Sequence, residues 1–344
     1  MHVIVTGGAG FLGSHLCRAL LRRGDRVTCV DNFSSGRTAN LSDLTGAEGF
    51  SLVRADVVVP LRVAGPVDAV THLASPASPP DYHRLPLETL AVGSRGTENA
   101  LDLAALYDAR FVLASTSEVY GDPLTHPQRE DYWGNVNPIG PRSVYDEAKR
   151  YAEAVTAAYA RNRGLNAGIV RIFNTYGPMM RARDGRVVTS FIAQALTGMP
   201  LTVYGDGGQT RSFCYVDDLV RGLVAMIDSG EPGPVNLGNP NEVTMLELAD
   251  RILTITGSDV PLRFLPLPVD DPTRRKPDID RAERLLGWRP EVDTETGLRL
   301  TVESFRSRMD EVRRAAAELT GVQSTAAGVV EPAGTATPAV AAAL

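Results

Sequence analysis

The segment Thr6-Gly7-Gly8-Ala9-Gly10-Phe11-Leu12-Gly13 constrains the fold of this chain more than any other. It follows a short β-rich run, residues 2–6. It leads into residues 14–23, where Leu16, Leu20 and Leu21 recur at helical spacing. Glycines at 7, 10 and 13 let a strand turn tightly into a helix and let the backbone approach a pyrophosphate. The free N–H groups and positive dipole end of that helix attract the phosphates. Ordinary turns use glycine too, so the position between strand and helix is what gives the trio its meaning. Asp31 closes the next strand-like run, residues 26–31. A carboxylate there accepts hydrogen bonds from the adenosine ribose hydroxyls and repels a 2′-phosphate, which predicts NAD rather than NADP, although Arg37 stands nearby.

The alternation continues. Residues 51–55, 69–74, 111–115 and 167–172 read as strands, and 88–106 and 143–163 as long helices. This order predicts an α/β fold: a Rossmann-type doubly wound parallel sheet with right-handed crossovers and helices on both faces. Beyond residue 172 the pattern loosens, and Gly, Pro and Arg become frequent from 177 to 208. Short helices are expected at 216–228 and 246–256. We read residues 1–172 as the dinucleotide-binding domain, with later segments returning to it, and 173–310 mainly as a smaller mixed α/β substrate lobe. Residues 321–344 are mostly Ala, Thr, Val, Gly and Pro with Glu331 as the one charged side chain, and are expected to be disordered and without function.

Composition excludes several classes. The net charge is −6, from 35 basic and 41 acidic residues, which argues against nucleic acid or an anionic membrane as partner. Cys17, Cys29 and Cys214 form neither an even set nor a CxxC pair, and the histidines lack ligand spacing, so neither a disulfide framework nor a metal site is expected. No apolar run is long enough for a membrane span and no signal peptide is read, so a cytoplasmic protein is expected. Lys149 and Lys276 are the only lysines in a chain that otherwise uses arginine, which makes each of them notable.

Tyr145 and Lys149 stand four apart in the helix 143–163 and so share a face. An ammonium near a phenol favours the phenolate and lowers its pKa. A phenol so tuned can take a proton from a sugar hydroxyl as that carbon is oxidised, and the lysine can also hold the nicotinamide ribose. Ser115-Thr116-Ser117-Glu118 lies at a strand end, where open α/β sheets place their sites, and Thr116 can bond the same hydroxyl. A Tyr/Lys pair at this spacing is common by accident, and a polar strand end can be a plain turn.

With these features in place, the chain resembles the extended short-chain dehydrogenase/reductases that act on nucleotide sugars, and most closely their UDP-glucuronate decarboxylase (UDP-xylose synthase) branch. The stretches carrying the resemblance are HLASPASPPDY at 72–82, STSEVYGDP at 115–123, HPQ at 126–128 and YWGNVNPIGPR at 132–142. Further on come RIFNTYGP at 171–178, DGRVV at 184–188, LTVYG at 201–205, QTRSF at 209–213, and Asp270, Asp271, Pro272 through Ile279. It spans about residues 1–310. The resemblance implies NAD held by Gly7, Gly10, Phe11, Leu12, Gly13, Asp31, Asn32, Ser35, Gly36, Asp56, Val57, Leu73, Ala74, Ser75, Tyr145 and Lys149. It implies substrate contacts from Pro79, Tyr82, Thr116, Ser117, Glu118, Asn174, Arg186, Val187, Tyr204, Gln209, Arg211 and Arg275. Catalysis would fall to Tyr145, Lys149, Thr116, Glu118 and Arg211. The implied reaction oxidises C4, loses CO₂ from the resulting β-keto acid, reprotonates C5 and reduces C4 again, with no net redox change. A homodimer through two helices per subunit, including that of Tyr145, is also implied.

Two departures stand out. Ala91 and Gly93 occupy positions where the family pattern has lysine and asparagine, which would leave the sugar acid to Arg211 and a nearby arginine. Ala148 replaces a glycine in the catalytic helix. The alternative readings are a nucleotide-sugar 4-epimerase and a non-catalytic NAD-sensing regulator, which would have no need of both Tyr145 and Lys149. A 4,6-dehydratase would place an aspartate acid where Ser117 stands.

Overall fold

The computed structural model describes residues 1–267 and 274–326. Seven parallel strands form one sheet. Six come from the first half: β1 (His2–Thr6), β2 (Arg26–Asp31), β3 (Phe50–Arg54), β4 (Ala69–His72), β5 (Arg110–Thr116) and β6 (Ala167–Ile172). The strand Val235–Leu237 returns from the second half and pairs with β6 at the edge. β1 lies between β2 and β4, so successive crossovers leave it in opposite directions and a crevice opens at the carboxyl ends of the strands.

β1 shows why both faces are covered. Val3 and Val5 join one apolar cluster with Leu16 and Leu20 of α1 (Phe11–Arg22) and with Leu219 and Leu223 of the helix Val216–Asp228. Ile4, pointing the other way, joins Leu101 and Ala152 from the helices Thr97–Leu106 and Ser143–Arg163. The long helix Ser143–Arg163 ends on Gly164, whose φ of +68° is a left-handed cap.

The helix expected at 88–106 begins at Pro86 and carries a π-helical turn at Val92–Gly96. The turn brings Gly93 against the catalytic helix: a Cβ there would lie 2.6 Å from Ala148 Cβ and 2.8 Å from its carbonyl oxygen. A side chain at 93 would meet both the Ala148 methyl and the Ala148 backbone, so glycine at 93 lets the two helices approach this closely. The departures at these two positions thus fall on one helix contact.

The second half differs from expectation in three ways. Residues 177–208, which read as irregular, hold the helix Val187–Thr197 and the strand Leu201–Tyr204. The β-branched start Val187-Val188-Thr189 obscured the helical period. The helix Val216–Asp228 and the returning strand pack with residues 1–172, as the expected return of later segments implies, although both lie within the span read mainly as the smaller lobe. Residues 321–326, expected to be disordered, lie in the helix Met309–Ala326; the remainder of that tail falls outside the described residues, as do Asp270, Asp271 and Pro272. Within the smaller lobe, Thr210–Ser212 pairs antiparallel with Glu242–Thr244 and parallel with Arg274–Arg275, which sets Arg211 beside Arg275. Among the described residues no helix is long and apolar enough to cross a membrane, and no His, Cys, Asp and Glu cluster suits a metal. The three cysteines are buried and free.

Candidate active site

A cavity of about 970 Å³ runs along the strand ends from the glycine turn to Arg211 and Arg275. At its first end, Gly7 has φ +71° and donates its N–H to the Val30 carbonyl at 2.8 Å. A Cβ on Gly7 would lie 2.7 Å from the Ala74 nitrogen, and one on Gly13 2.1 Å from the Gly7 carbonyl oxygen. The turn and the first coil of α1 thus touch backbone to backbone, and α1 opens at Gly10 with no side chain over its N–H groups. The cradle suits a pyrophosphate. Gly13→Ala should cost about 1–3 kcal/mol of stability through overpacking. It should also weaken NAD binding roughly tenfold or more by tilting those N–H groups; thermal melts and calorimetric titration check both.

Asp31 is buried and accepts the Phe33 N–H at 2.7 Å on Oδ1 and the Ala9 N–H at 2.9 Å on Oδ2. Burial raises its pKa, opposed by those two bonds. Gly36 lies against it, since a Cβ there would be 2.9 Å from either carboxylate oxygen. Arg37 is drawn elsewhere. Its guanidinium donates to Glu311 at 2.6 Å, the Met179 carbonyl at 3.1 Å and Asn40 Oδ1 at 3.2 Å, and it does not line the cavity. Asp31, rather than a guanidinium, therefore lines this end of the cavity.

Midway along the cavity, Tyr145 is buried and stacks on Tyr82, with ring centroids 5.3 Å apart and planes at 11°. The Thr116 hydroxyl lies near the Tyr145 hydroxyl, where it favours the phenolate. Lys149 Nζ stands 5.9 Å from the centre of the Tyr145 ring and donates to the Ala114 carbonyl at 2.8 Å. The sequence expectation of a phenol made acidic by lysine needs correction here. Burial first, and then the Glu118 carboxylate, push the Tyr145 pKa up, against the Thr116 hydroxyl and Arg186. The ammonium turns its proton to the β5 carbonyl, so in this state Tyr145 is a protonated donor. The Tyr82 hydroxyl is buried with no hydrogen-bond partner beside it.

At the far end, Glu118 sits between two guanidiniums. Arg275 Nη1 and Nη2 donate to its two oxygens at 2.5 and 2.8 Å, and Arg142 Nη2 donates at 2.8 Å. Burial alone would raise the carboxyl pKa, but Arg275 and Arg142 hold it well below the ordinary range. Glu118 is thus a fixed anion at neutral pH and orients the two arginines. Arg186 pairs with the buried Asp184, and Arg211 Nη1 donates to the Thr210 carbonyl at 2.9 Å.

All but one of the residues singled out from the sequence line this cavity. The exception is Asp56, whose carboxylate accepts from Asn32 Nδ2 at 3.0 Å and from the Val58 N–H at 3.0 Å; it acts on the site by holding Asn32. Ala91 and Gly93 do not line it. Arg142 does, and the sequence reading missed it: it closes the loop quoted at 132–142, and only the fold brings it to Glu118. Asp184 was missed as the partner of Arg186, although the adjacent signs at 184 and 186 were a usable signal.

Comparison with known proteins places these observations. A family model described as the NAD dependent epimerase/dehydratase family matches residues 3–238. The chain is 53% identical over 308 residues to a UDP-glucuronic acid decarboxylase 1 of Danio rerio, covering 90% of this chain and 73% of that protein. It is 52% identical over 309 residues to a UDP-glucuronic acid decarboxylase 1 of Arabidopsis thaliana, covering 90% and 71%. Among solved structures it is similar to a UDP-glucose 4-epimerase of Thermotoga maritima with UDP-glucose, with TM-score 0.81, 30% identity and coverage of 90% of this chain and 100% of that one. It is also similar to a UDP-glucuronic acid 4-epimerase of Bacillus cereus in complex with UDP-glucuronic acid and NAD, with TM-score 0.79, 29% identity and coverage of 89% and 99%.

Proposed function

We infer that this chain, which belongs to the NAD-dependent epimerase/dehydratase family, is a UDP-glucuronate decarboxylase that forms UDP-xylose and uses NAD as cofactor. The observation that carries the reading is the identity above 50% to decarboxylases over nine-tenths of the chain, together with a cavity that joins a pyrophosphate cradle to Tyr145 and then to a group of arginines.

When bound, NAD would supply the reversible oxidation at sugar C4 with which this chemistry begins and ends. Tyr145 must first release to solvent the proton it holds in the ligand-free state; as the phenolate it takes the C4 hydroxyl proton and later returns it, with the Thr116 hydroxyl beside it favouring the charged form. Once C4 is a ketone, the C6 carboxylate belongs to a β-keto acid. The electron pair released with CO₂ spreads onto the C4 oxygen, where Tyr145 and Thr116 donate or share hydrogen bonds. Arg142, Arg211 and Arg275 supply positive charge at the far end for the sugar acid. The planar fork of Arg186 suits the diphosphate. Buried walls around Tyr145 and Lys149 exclude water from the reacting carbon.

The direct test is incubation with NAD⁺ and UDP-glucuronate, following CO₂ and a UDP-pentose. Turnover of a neutral nucleotide hexose with no CO₂ from UDP-glucuronate would make the protein an epimerase instead. We also propose a homodimer and a cytoplasmic setting. Leu87, Leu90 and Tyr151 leave apolar surface exposed on the helix pair beside the site, which supports pairing of subunits there. Free buried thiols are compatible with a reducing compartment. Light scattering in solution checks the dimer.

A further inference from the structure

The long helix carries a third polar side chain in register with the catalytic pair. Tyr145, Lys149 and Glu153 follow one another at intervals of four and so share one face. The Glu153 carboxylate is held on both oxygens. Ser115 Oγ donates to Oε1 at 2.6 Å, Arg171 Nε donates to the same atom at 2.9 Å, and Arg171 Nη2 donates to Oε2 at 2.8 Å. Arg171 is itself fixed, donating to the Tyr120 hydroxyl at 3.0 Å, which donates to Asn236 Oδ1 at 2.8 Å on the returning strand. Glu153 is therefore a carboxylate of fixed position, tied to β5 by Ser115 and to β6 by Arg171.

Lys149, one turn away, is 5% exposed, and among the described residues no carboxylate ion-pairs with it. The groups facing it are few. Its own helix offers Tyr145 and Glu153. β5 offers the Ala114 carbonyl. β4 offers His72, kept neutral because burial and then the Lys149 charge push its pKa down to about 3. β6 offers Arg171, on the far side of Glu153. Glu153 is the anion in this set.

We propose that Glu153 is a positioning residue for the reaction: it acts through Lys149, as the buried counter-charge that keeps this ammonium protonated beside the cofactor. The proposal rests on the reading of Tyr145 and Lys149 as the catalytic pair. Burial pulls the Lys149 pKa down to about 8 and Glu153 opposes the fall, so the enzyme works close to the pH at which this charge is lost. Because Arg171 neutralises Glu153, the two variants must act with opposite signs. Glu153→Gln removes the anion and leaves a guanidinium near the ammonium. Arg171→Gln removes the cation and leaves the anion unopposed.

The lysine count makes this measurable without turnover. Protein labelled with ¹³C and ¹⁵N only in lysine gives two side-chain signals, Lys149 and Lys276. Lys276, with 32% side-chain exposure and 3.6 Å from Glu242, is an internal control. In Glu153→Gln the Lys149 midpoint should fall by about one pH unit or more, and in Arg171→Gln it should rise. Lys276 should stay in place, and the alkaline limb of kcat should follow Lys149 in each protein. A Lys149 midpoint that stays put in Glu153→Gln, or moves the same way in both variants, overturns the proposal, even if both proteins melt at lower temperature. If Glu153→Gln fails to fold, Glu153→Asp, which keeps the charge, must titrate near wild type while Arg171→Gln rises. Failure to convert UDP-glucuronate with these titrations intact would sink the assigned reaction and leave the Glu153 proposal standing.

Discussion

Tyr145→Phe is expected to bind NAD and UDP-glucuronate nearly as well as the wild type and to turn over roughly 10²–10⁴ times more slowly. The substitution removes one hydroxyl and leaves the ring, so the stack on Tyr82, at 5.3 Å and 11°, and the burial of the side chain persist. The folded state loses at most one polar contact of the hydroxyl, an effect of about 1 kcal/mol. Thermal melting should therefore change little while kcat collapses, and that contrast separates a chemical role from a structural one. Burial and Glu118 already hold the phenol protonated in the ligand-free site, so the hydroxyl is a proton donor there. In the reductive half of the cycle that donor returns the C4 proton, and phenylalanine has none to give. A Phe variant with wild-type kcat would remove Tyr145 from the acid–base chemistry and leave Thr116 as the group to examine.

The part of this site that was legible in the sequence is the part built from local chain geometry. Gly7, Gly10 and Gly13 announced themselves because a strand-to-helix turn needs backbone contacts that a Cβ would block, and that need is written within eight residues. Tyr145 and Lys149 announced themselves through helical spacing. The fold followed from the same kind of signal, since most of the early strands are short, buried, largely apolar runs, β3 being the exposed exception. What stayed hidden depends on contacts distant in sequence. Arg142 meets Glu118 across a loop, and Arg275 reaches it from the far lobe. The strand Val235–Leu237 returns to β6 with only three residues to mark it. The pKa of Tyr145 was misread for the same reason. Spacing along one helix revealed the lysine, whereas the burial that chiefly raises the phenol's pKa, and the Glu118 carboxylate that adds to it, come from the fold around that helix. Gly93 and Ala148 stand far apart in sequence, and only the fold shows that they meet at one helix contact.

Glu118→Ala should give the largest loss of stability among changes within the cavity. It leaves Arg142 and Arg275 together in a buried place without the anion that now accepts from both. Removing one partner of a buried ion pair typically costs about 3–5 kcal/mol, because the remaining charge stays desolvated and uncompensated. The pH dependence follows from the sign of the shift. The arginines lower the Glu118 pKa in the folded protein, so its contribution is fully present above the ordinary carboxyl value. It fades as pH falls from there through the lowered one. Wild type and variant should therefore differ most in melting temperature near neutrality and converge in acid. Ligands sharpen the test. In the variant, the carboxylate of UDP-glucuronate becomes the available counter-ion for two freed guanidiniums, so this ligand should raise the variant's Tm more than it raises the wild type's. UDP-xylose, which lacks that carboxylate, should show no such excess. A variant that melts like wild type at neutral pH, or that gains equally from both ligands, would mean that Glu118 does not hold this pair of arginines in solution, and the sugar acid would then have to be recognised elsewhere in the cavity.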